Sequence, residues 1–540
     1  MPLEVPERLR KIRTSKNLKI RPTRHLKTTF TGFDGEEHPL KIRYYQVQGI
    51  LHLVAMARFV LGDDTGLGKT LEAIAALCYI WEKDPDRKVI VLTTKSATPQ
   101  WAGEFAKFTT GVRVIVCQGT PKKREKARAA FLASKGPTVM VGGYRSFVRD
   151  ITAIQEWEGY ILVCDEATAF KNPKTQVHQV VRHMAFQASR AWGLTATLIK
   201  NNLMEGYGIY QVIKPDLFGM TANRFMMYYC LVEMISIPRS NRKVPKIVGY
   251  APDKVREFRE RIEPVYLGRP KHEVAADLPV LEMKQVQVGL SPAQQEKYDE
   301  ALSGLLTMGS GVYDDATGDE IEEVRETDKL TQVTYCQEIV NHLDLINCEG
   351  SSEKLKALLE LLTEGDLADE NVIVFTRFSQ MVDILMPEFA KAGVKAVRVT
   401  GEEKLDERQK AMWEFQTPTQ ETRVICITMA GGDAINLQAA KAIVFYDTPW
   451  SAGDFIQIVG RMIRIGSLHD RCYAIHLVAR GRRRTVDARV LEVMHRKMKL
   501  VEAVLGKRLK GEGEANAIIP VENDISEIFS LLVEDAREGA

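Results

Sequence analysis

The sequence predicts an α/β protein with two parallel sheets, each covered by helices on both faces, and a mostly helical insertion between them. Three observations carry this expectation. A phosphate-loop pattern, Asp63-Asp64-Thr65-Gly66-Leu67-Gly68-Lys69-Thr70, follows the apolar run Phe59-Val60-Leu61 and opens an apolar helical pattern with Leu71, Ile74, Ala75 and Cys78 on one face. Beyond it, short and nearly continuous apolar runs alternate with helical patterns, as strands buried on both faces do. A second set of such runs begins near Ser351, without a second phosphate loop.

The loop suggests its own chemistry. Gly66 and Gly68 let backbone come close to a phosphate. Residues Asp64, Thr65, Gly66, Leu67 and Gly68 would offer N–H groups at a helix N-terminus, where anions are favoured. Lys69 can reach β and γ phosphates, and the Thr70 hydroxyl can ligate Mg²⁺. The G-x-x-x-x-G-K-T pattern is incomplete, because Asp63 stands where the first Gly is expected. A helix entered from a glycine turn is the plainer reading of the motif alone. Upstream, Tyr45-Gln46 lies one helix before the loop. The Gln46 amide can read an adenine edge with one donor and one acceptor.

The first set of strands is expected at residues 89–94, 112–117, 138–141, 161–164 and around Trp192-Gly193-Leu194. Ligands gather at the carboxyl ends of such strands, and Thr93-Thr94-Lys95 and Asp165-Glu166 fall there. Asp165 would hold Mg²⁺ directly or through water, and Glu166 would orient or deprotonate the attacking water. Thr195-Ala196-Thr197 ends a further strand with two hydroxyls, suited to linking the γ-phosphate state to movement of the lobe. A simple turn also fits it.

Residues 214–349 show helical patterns, a basic patch (Arg239, Arg242, Lys243, Lys246) and an acidic polar stretch with an exposed loop around 309–327. The second strand set is expected at 372–376, 394–399, 424–428, 442–446 and 474–478. Arg461 and Arg464 lie three apart, so a helix would present both on one face. Paired arginines suit a phosphate, although a surface basic helix gives the same spacing. The stretch 485–509 is amphipathic, with Val486, Val490, Leu491 and Met494 recurring, and is expected to pack across the lobes. The expected organisation is a basic arm (1–40), a nucleotide-binding lobe (41–213), the insertion and linker (214–349), a second lobe (350–484), an amphipathic helix (485–510) and a mobile or weakly docked acidic tail (511–540).

Bulk properties narrow the class. The chain has 540 residues, 45% hydrophobic and 27% charged, enough for two or three cores. Net charge is only +3, but the N-terminal stretch carries Arg8, Arg10, Lys11, Arg13, Lys16, Lys19, Arg21, Arg24 and Lys27 against Glu4 and Glu7. That reads equally as a mobile arm drawn to nucleic-acid phosphates or as a solvated tail. It lacks the apolar core of a secretory signal; charge alone leaves a mitochondrial address open. Eight cysteines are scattered with no C-x-x-C pair, arguing against zinc and a disulfide framework and for a reducing compartment. The run 51–61 is broken by His52 and Arg58 and is too short to span a bilayer.

Taken in order, these motifs resemble a Swi/Snf-type ATPase of helicase superfamily two, over about residues 41–507. Asp63–Thr70 resembles that family's D-E-x-G-x-G-K-T form, which accounts for the missing glycine. Tyr45-Gln46, Thr94-Lys95 through Trp101, Asp165-Glu166-Ala167-Thr168 with Lys171-Asn172, Lys354-Leu355, Gly431-Gly432 through Asn436-Leu437, and Gln457 through Gly466 resemble its further motifs. Arg269, Lys271, Glu273 and Leu278-Pro279 resemble its linker signature.

The resemblance implies two RecA-like lobes that close on Mg-ATP, with Arg461 and Arg464 as arginine fingers. It implies coupling through Thr168, Thr195, Thr197, Gly432 and Gln457, and DNA contacts at Thr94, Lys95 and Thr428. The implied activity is translocation along duplex or branched DNA, acting on that DNA or on proteins bound to it, without membrane or zinc. Residues 210–219 and Tyr229-Cys230 look most like the fork-remodelling, annealing-helicase branch. Thr168 stands where the family usually has His, which puts coupling in question. Thr195-Ala196-Thr197 resembles strand-separating relatives more than the family's Gly-Thr-Pro. A strand-separating helicase and a nucleotide-switched DNA-binding module therefore stay open. The length leaves no room for histone-reading domains, which argues against a dedicated nucleosome remodeller. It fits a bacterial, archaeal or viral origin and a cytoplasmic or nucleoid-associated protein (host cytoplasm if viral).

Overall fold

A computed structural model describes residues 7–32, 36–196, 198–199, 203–236, 243–274, 279–309, 312–313, 320–321, 326–417, 421–429, 435–464, 467, 469–505, 519–520 and 524–537. The chain divides into two compact units. One comes mainly from Met1–Val232 and Ile247–Ala276, the other mainly from Asp277–Ala503 and Pro520–Ala540.

The first unit is built on seven strands: β1 (Arg58–Leu61), β2 (Lys88–Thr93), β3 (Arg113–Cys117), β4 (Thr138–Gly143), β5 (Ile161–Asp165), β6 (Arg190–Leu194) and β7 (Tyr266–Leu267). They run parallel in the order β7-β1-β6-β5-β2-β4-β3. Phe59, Val60, Leu61, Val89–Leu92 and Ile161–Cys164 are buried, as strands covered on both faces must be. The helix Lys69–Lys83 follows β1 and buries residues 72–78 and Trp81. The helix Thr98–Phe108 starts with Pro at its first turn, where the missing N–H costs nothing, and buries Trp101, Phe105 and Phe108.

The second unit has six parallel strands: β8 (Val280–Gly289), β9 (Val372–Phe375), β10 (Ala396–Val399), β11 (Val424–Ile427), β12 (Ala442–Phe445) and β13 (Arg471–Arg480). Their order is β8-β13-β12-β9-β11-β10. One apolar cluster packs Ile373, Phe375, Ile425, Ile427, Ile443 and Phe445 against Phe455, Ile458 and Met462 of the helix Ala452–Met462.

Three expectations change here. The segment 214–349 is not one helical insertion: Tyr266–Leu267 joins the first sheet, and Val280–Gly289 forms an edge strand of the second. The N-terminal arm is docked. Its helix Glu7–Thr14 buries Leu9, and Arg13 donates to Nε2 of His52 (3.2 Å), the Glu263 carbonyl (2.7 Å) and the Tyr266 carbonyl (2.9 Å). The acidic tail is docked too. Its helix Asp524–Arg537 buries Ile528, Phe529, Leu532 and Val533 against Tyr298, Val333, Val340 and Val490, and Asp535 accepts two bonds from Arg489 (2.7 and 2.5 Å). Within Val486–Leu505, Val486, Val490, Leu491, Val493 and Met494 lie in clusters of the second unit. The expected exposed loop lies largely outside the described residues, as do Arg239 and Arg242 of the basic patch.

Deleting buried methyl groups beneath a docked helix costs about 2–5 kcal/mol. Ile528→Ala should therefore destabilise the second unit by about that much in urea unfolding, where a weakly docked tail would change it by under about 0.5 kcal/mol.

Candidate active site

Strand register assembles the site in the first unit. Leu61 pairs with Leu194, and Leu194 pairs with Asp165. The ends of β1, β6 and β5 therefore stand in one row, about 10 Å across at the usual strand spacing. The phosphate loop leaves β1, Thr195 follows β6, and Asp165-Glu166 closes β5. The Thr195 N–H donates to the Leu61 carbonyl at 3.1 Å, continuing the row by one residue.

The loop needs its glycines. Gly66 and Gly68 have φ of 82° and 91°, the left-handed region open to glycine. Gly68 caps the helix that begins at Lys69. The Lys69 ammonium donates to the carbonyls of Asp63 (2.7 Å) and Asp64 (3.3 Å). Burial lowers its pKa, against the nearby carboxylates of Glu166, Asp63, Asp165 and Asp64. The Thr65 hydroxyl is buried without a hydrogen-bond partner. A buried orphan acceptor and donor in a glycine-rich turn suits an anionic oxygen.

Asp63 is not a tolerated intruder. It is fully buried, and its Oδ1 accepts from the Arg269 backbone N–H (3.1 Å) and Nε (2.9 Å), while Oδ2 accepts from Nη2. The same Nη2 donates to Oε2 of Glu72 at 3.1 Å. Burial raises the Glu72 carboxyl well above its usual range, with Arg269 opposing and Asp63 reinforcing. A Cβ at Gly49 would collide with the Glu72 carboxylate, so glycine lets the helix Tyr44–Ala55 come this close.

At β5, Oδ2 of Asp165 accepts from the Trp101 indole (2.7 Å) and the Thr93 hydroxyl (2.9 Å). The Tyr144 hydroxyl donates to its carbonyl at 2.6 Å. These donors hold one carboxylate oxygen and leave Oδ1 for a hard cation, whose oxygen ligands would be Asp165 and Thr70. Burial raises the Asp165 pKa to about 6, Glu166 adding and Trp101, Thr93 and Lys69 opposing. Glu166 has φ 51° and ψ 59°, a left-handed conformation costing about 1–3 kcal/mol in a non-glycine residue. Backbone strain of this kind clusters at functional sites.

Gln46 is tied to the phosphate loop. Its Nε2 donates to the Leu67 carbonyl (3.0 Å) and its Oε1 accepts from the Arg43 N–H (2.9 Å), so it braces the loop from behind. Thr94 forms a local turn: its hydroxyl bonds Ser96 (3.0 Å) and accepts from the Ala97 N–H (3.3 Å), with Lys95 exposed beside it. Thr168 lies half-buried in the 3₁₀ turn Ala167–Phe170. Thr197 and Gly432 lie outside the described residues.

In the second unit, the helix bearing Arg461 ends at Met462, and Ile463 is extended. The two arginines therefore do not share a helical face. Arg461 is 7% exposed. Arg464 lies past the helix end, its Nε donating to the Gly460 carbonyl (2.8 Å) and its Nη1 to Asn436. Gln457 is half-buried one turn before Arg461, and Thr428 is buried after β11. The sequence reading missed a buried network at the ends of β9 and β12. Asp447 accepts from Thr376 (2.6 Å), the Arg377 N–H (2.9 Å) and Asn341 (3.0 Å). Lys354 bonds Asn341 (3.1 Å), the Tyr446 carbonyl (3.0 Å) and Asp487 (2.5 Å). The Arg377 guanidinium lies 3.5 Å over the Trp450 ring. The signal for it was Asp447-Thr448-Pro449-Trp450, directly after an apolar run.

A phosphate loop and an acidic pair at the ends of two strands that flank a third in one parallel sheet define a P-loop nucleotide-binding protein with a second α/β unit. The chain belongs to the SNF2-related domain family, whose model matches residues 45–345, and the helicase conserved C-terminal domain matches residues 353–466. It is 24% identical to the ATP-dependent DNA helicase DDM1 of Arabidopsis thaliana, over 92% of this chain and 66% of that protein. It is 27% identical to mouse chromodomain-helicase-DNA-binding protein 1-like, over 86% of this chain and 50% of that protein. The chain thus spans less than two thirds of the length of such relatives. A solved Sulfolobus solfataricus SWI2/SNF2 ATPase core in complex with dsDNA aligns with a TM-score of 0.40 and 22% identity, covering 88% of this chain and 94% of that one. Among the described residues, no helix is long and apolar enough to cross a membrane.

The helix beneath the loop carries a pH signature. Burial pushes the His52 imidazole down to about 4, while its Nδ1 bonds the Gln48 carbonyl at 2.7 Å. Between the unfolded value of about 6.5 and this folded value, the unfolded chain binds more protons, so stability falls as pH drops. The window from pH 6.5 to 4 should cost up to about 3 kcal/mol from this group. Urea unfolding across that range should show a shallower pH slope in His52→Gln than in the native chain.

Proposed function

We propose that this chain is an Mg-ATP-dependent translocase on duplex DNA that remodels protein–DNA complexes or branched DNA. The observation that carries the reading is the row formed by the phosphate loop, Thr195 and Asp165-Glu166, with Glu166 held left-handed beside a fixed Asp165. Family membership supports the DNA-directed part.

In this reading, N–H groups of 64–68 hold the phosphates, and Lys69 exchanges its loop carbonyls for β and γ oxygens. Thr70 and Asp165 Oδ1 would hold a magnesium ion, which would supply positive charge to the phosphate oxygens. Glu166 orients the attacking water and takes its proton. Arg464, the more accessible of the two arginines, supplies charge to the γ-phosphate from the second unit, and Arg461 supports it. Thr168, Thr195, Thr197, Gly432 and Gln457 relay nucleotide state to the DNA contacts. Thr94, Lys95 and Thr428 sit at strand ends of their sheets and would track one strand by its phosphates, sequence-tolerantly. This motor would work in a cytoplasmic or nucleoid setting.

Lys69→Ala should abolish ATP hydrolysis while leaving the unfolding profile intact. Glu166→Gln should bind ATP and turn it over very slowly. Arg464→Ala should cut turnover on the order of 10³-fold with ATP binding retained, an effect that single-turnover kinetics separates from affinity. ATP hydrolysis measured with duplex, single-stranded and forked DNA and with RNA tests the substrate. Duplex stimulation that weakens steeply with salt is expected; turnover indifferent to all four would point instead to a nucleotide-switched binding module. Forked-duplex unwinding without triplex displacement would select strand separation over translocation.

A further inference from the structure

We propose that Arg269 is a positioning residue for the phosphate loop, and that through it the connector between the two units forms part of the nucleotide site. The inference rests on the nucleotide reading above and extends it to a residue about two hundred positions from the loop.

Arg269 is 7% exposed and its guanidinium is fully engaged. It meets both oxygens of Asp63 in the loop and Oε2 of Glu72 on the helix that follows the loop. Its Nη1 donates to the Tyr45 carbonyl and, at 3.2 Å, to Oε1 of Gln48, both on the helix that braces the loop from behind. One side chain thus joins three elements that surround the phosphate turn. A planar fork with five donors can do this; an ammonium cannot reach all of them.

The backbone repeats the connection. The Gly62 N–H donates to the Leu267 carbonyl (2.7 Å), the Arg269 N–H donates to Asp63 (3.1 Å), and the Asp64 N–H donates to the Arg269 carbonyl (3.1 Å). Residues 266–269 therefore extend β7 alongside the loop itself. Directly afterwards come Pro270 and the short helix Lys271–Val274, and the chain passes to the second unit at Asp277. Whatever orders residues 62–69 also orders the chain that leaves for the other unit. A loop clamped on phosphate would in this way stiffen the connector without a separate relay.

Hydrogen exchange on the full chain with and without Mg·ADP tests this. The native chain should exchange more slowly on ADP addition both in a peptide covering 60–70 and in one covering 264–274. Arg269→Lys should weaken ADP binding at least tenfold by calorimetry and lose the protection at 264–274 even at saturating ADP. If that variant fails to fold, Asp63→Asn/Glu72→Gln/Arg269→Gln replaces it, because it removes the arginine together with both carboxylates it pairs and leaves no bare buried charge. Protection confined to 60–70 in the native chain would overturn the proposal. So would unchanged ADP affinity in the folded variant, which would leave Arg269 a stability residue alone. No protection in either peptide would remove the nucleotide reading and this inference with it.

Discussion

The first unit depends on one buried knot of charge. Asp63, Glu72 and Arg269 are all nearly inaccessible, and such charges persist only when paired and hydrogen-bonded. The knot fixes the root of the phosphate loop, the first turn of the helix after it and the helix that carries Gln46. It also explains a sequence irregularity. Where the general phosphate-loop pattern has glycine, this chain has an aspartate whose work is to receive an arginine from a distant segment.

The chemistry then follows from what the frame holds still. Asp165 keeps one oxygen tied to Trp101 and Thr93, so the other has a defined direction. Glu166 is held in a strained backbone conformation at the end of a buried strand. The cost is local and the surrounding sheet supports it, which is the arrangement expected where side-chain direction matters more than stability. The Asp447 network does the same for the ends of the second sheet, using buried side chains rather than a loop.

Much of this was legible in the sequence because it is local. The phosphate loop, the acidic pair and most of the strands announce themselves through short patterns and apolar runs. What was not legible lies at edges and ends. Val280–Gly289 alternates polar and apolar residues because it has one neighbour and an exposed side, so it lacks the run of a central strand. Tyr266–Leu267 is too short to show periodicity. The basic arm and acidic tail read as solvated because charge dominates them, while a few buried residues (Leu9, Ile528, Leu532) and two arginine anchors decide their docking. Arg-x-x-Arg spacing promised one helical face, but the helix stops between the two residues.

The sequence by itself determined that this chain has two parallel α/β sheets, one phosphate loop, one acidic pair and membership in the SNF2-related domain family. These follow from periodicity and short motifs, which depend on neighbours within a few residues. Only the tertiary structure decided that Arg269 supports Asp63, that Trp101 holds Asp165, and that Gln46 braces Leu67. Each joins residues from about twenty to two hundred positions apart, and no local pattern encodes a partner chosen by burial and hydrogen-bond geometry.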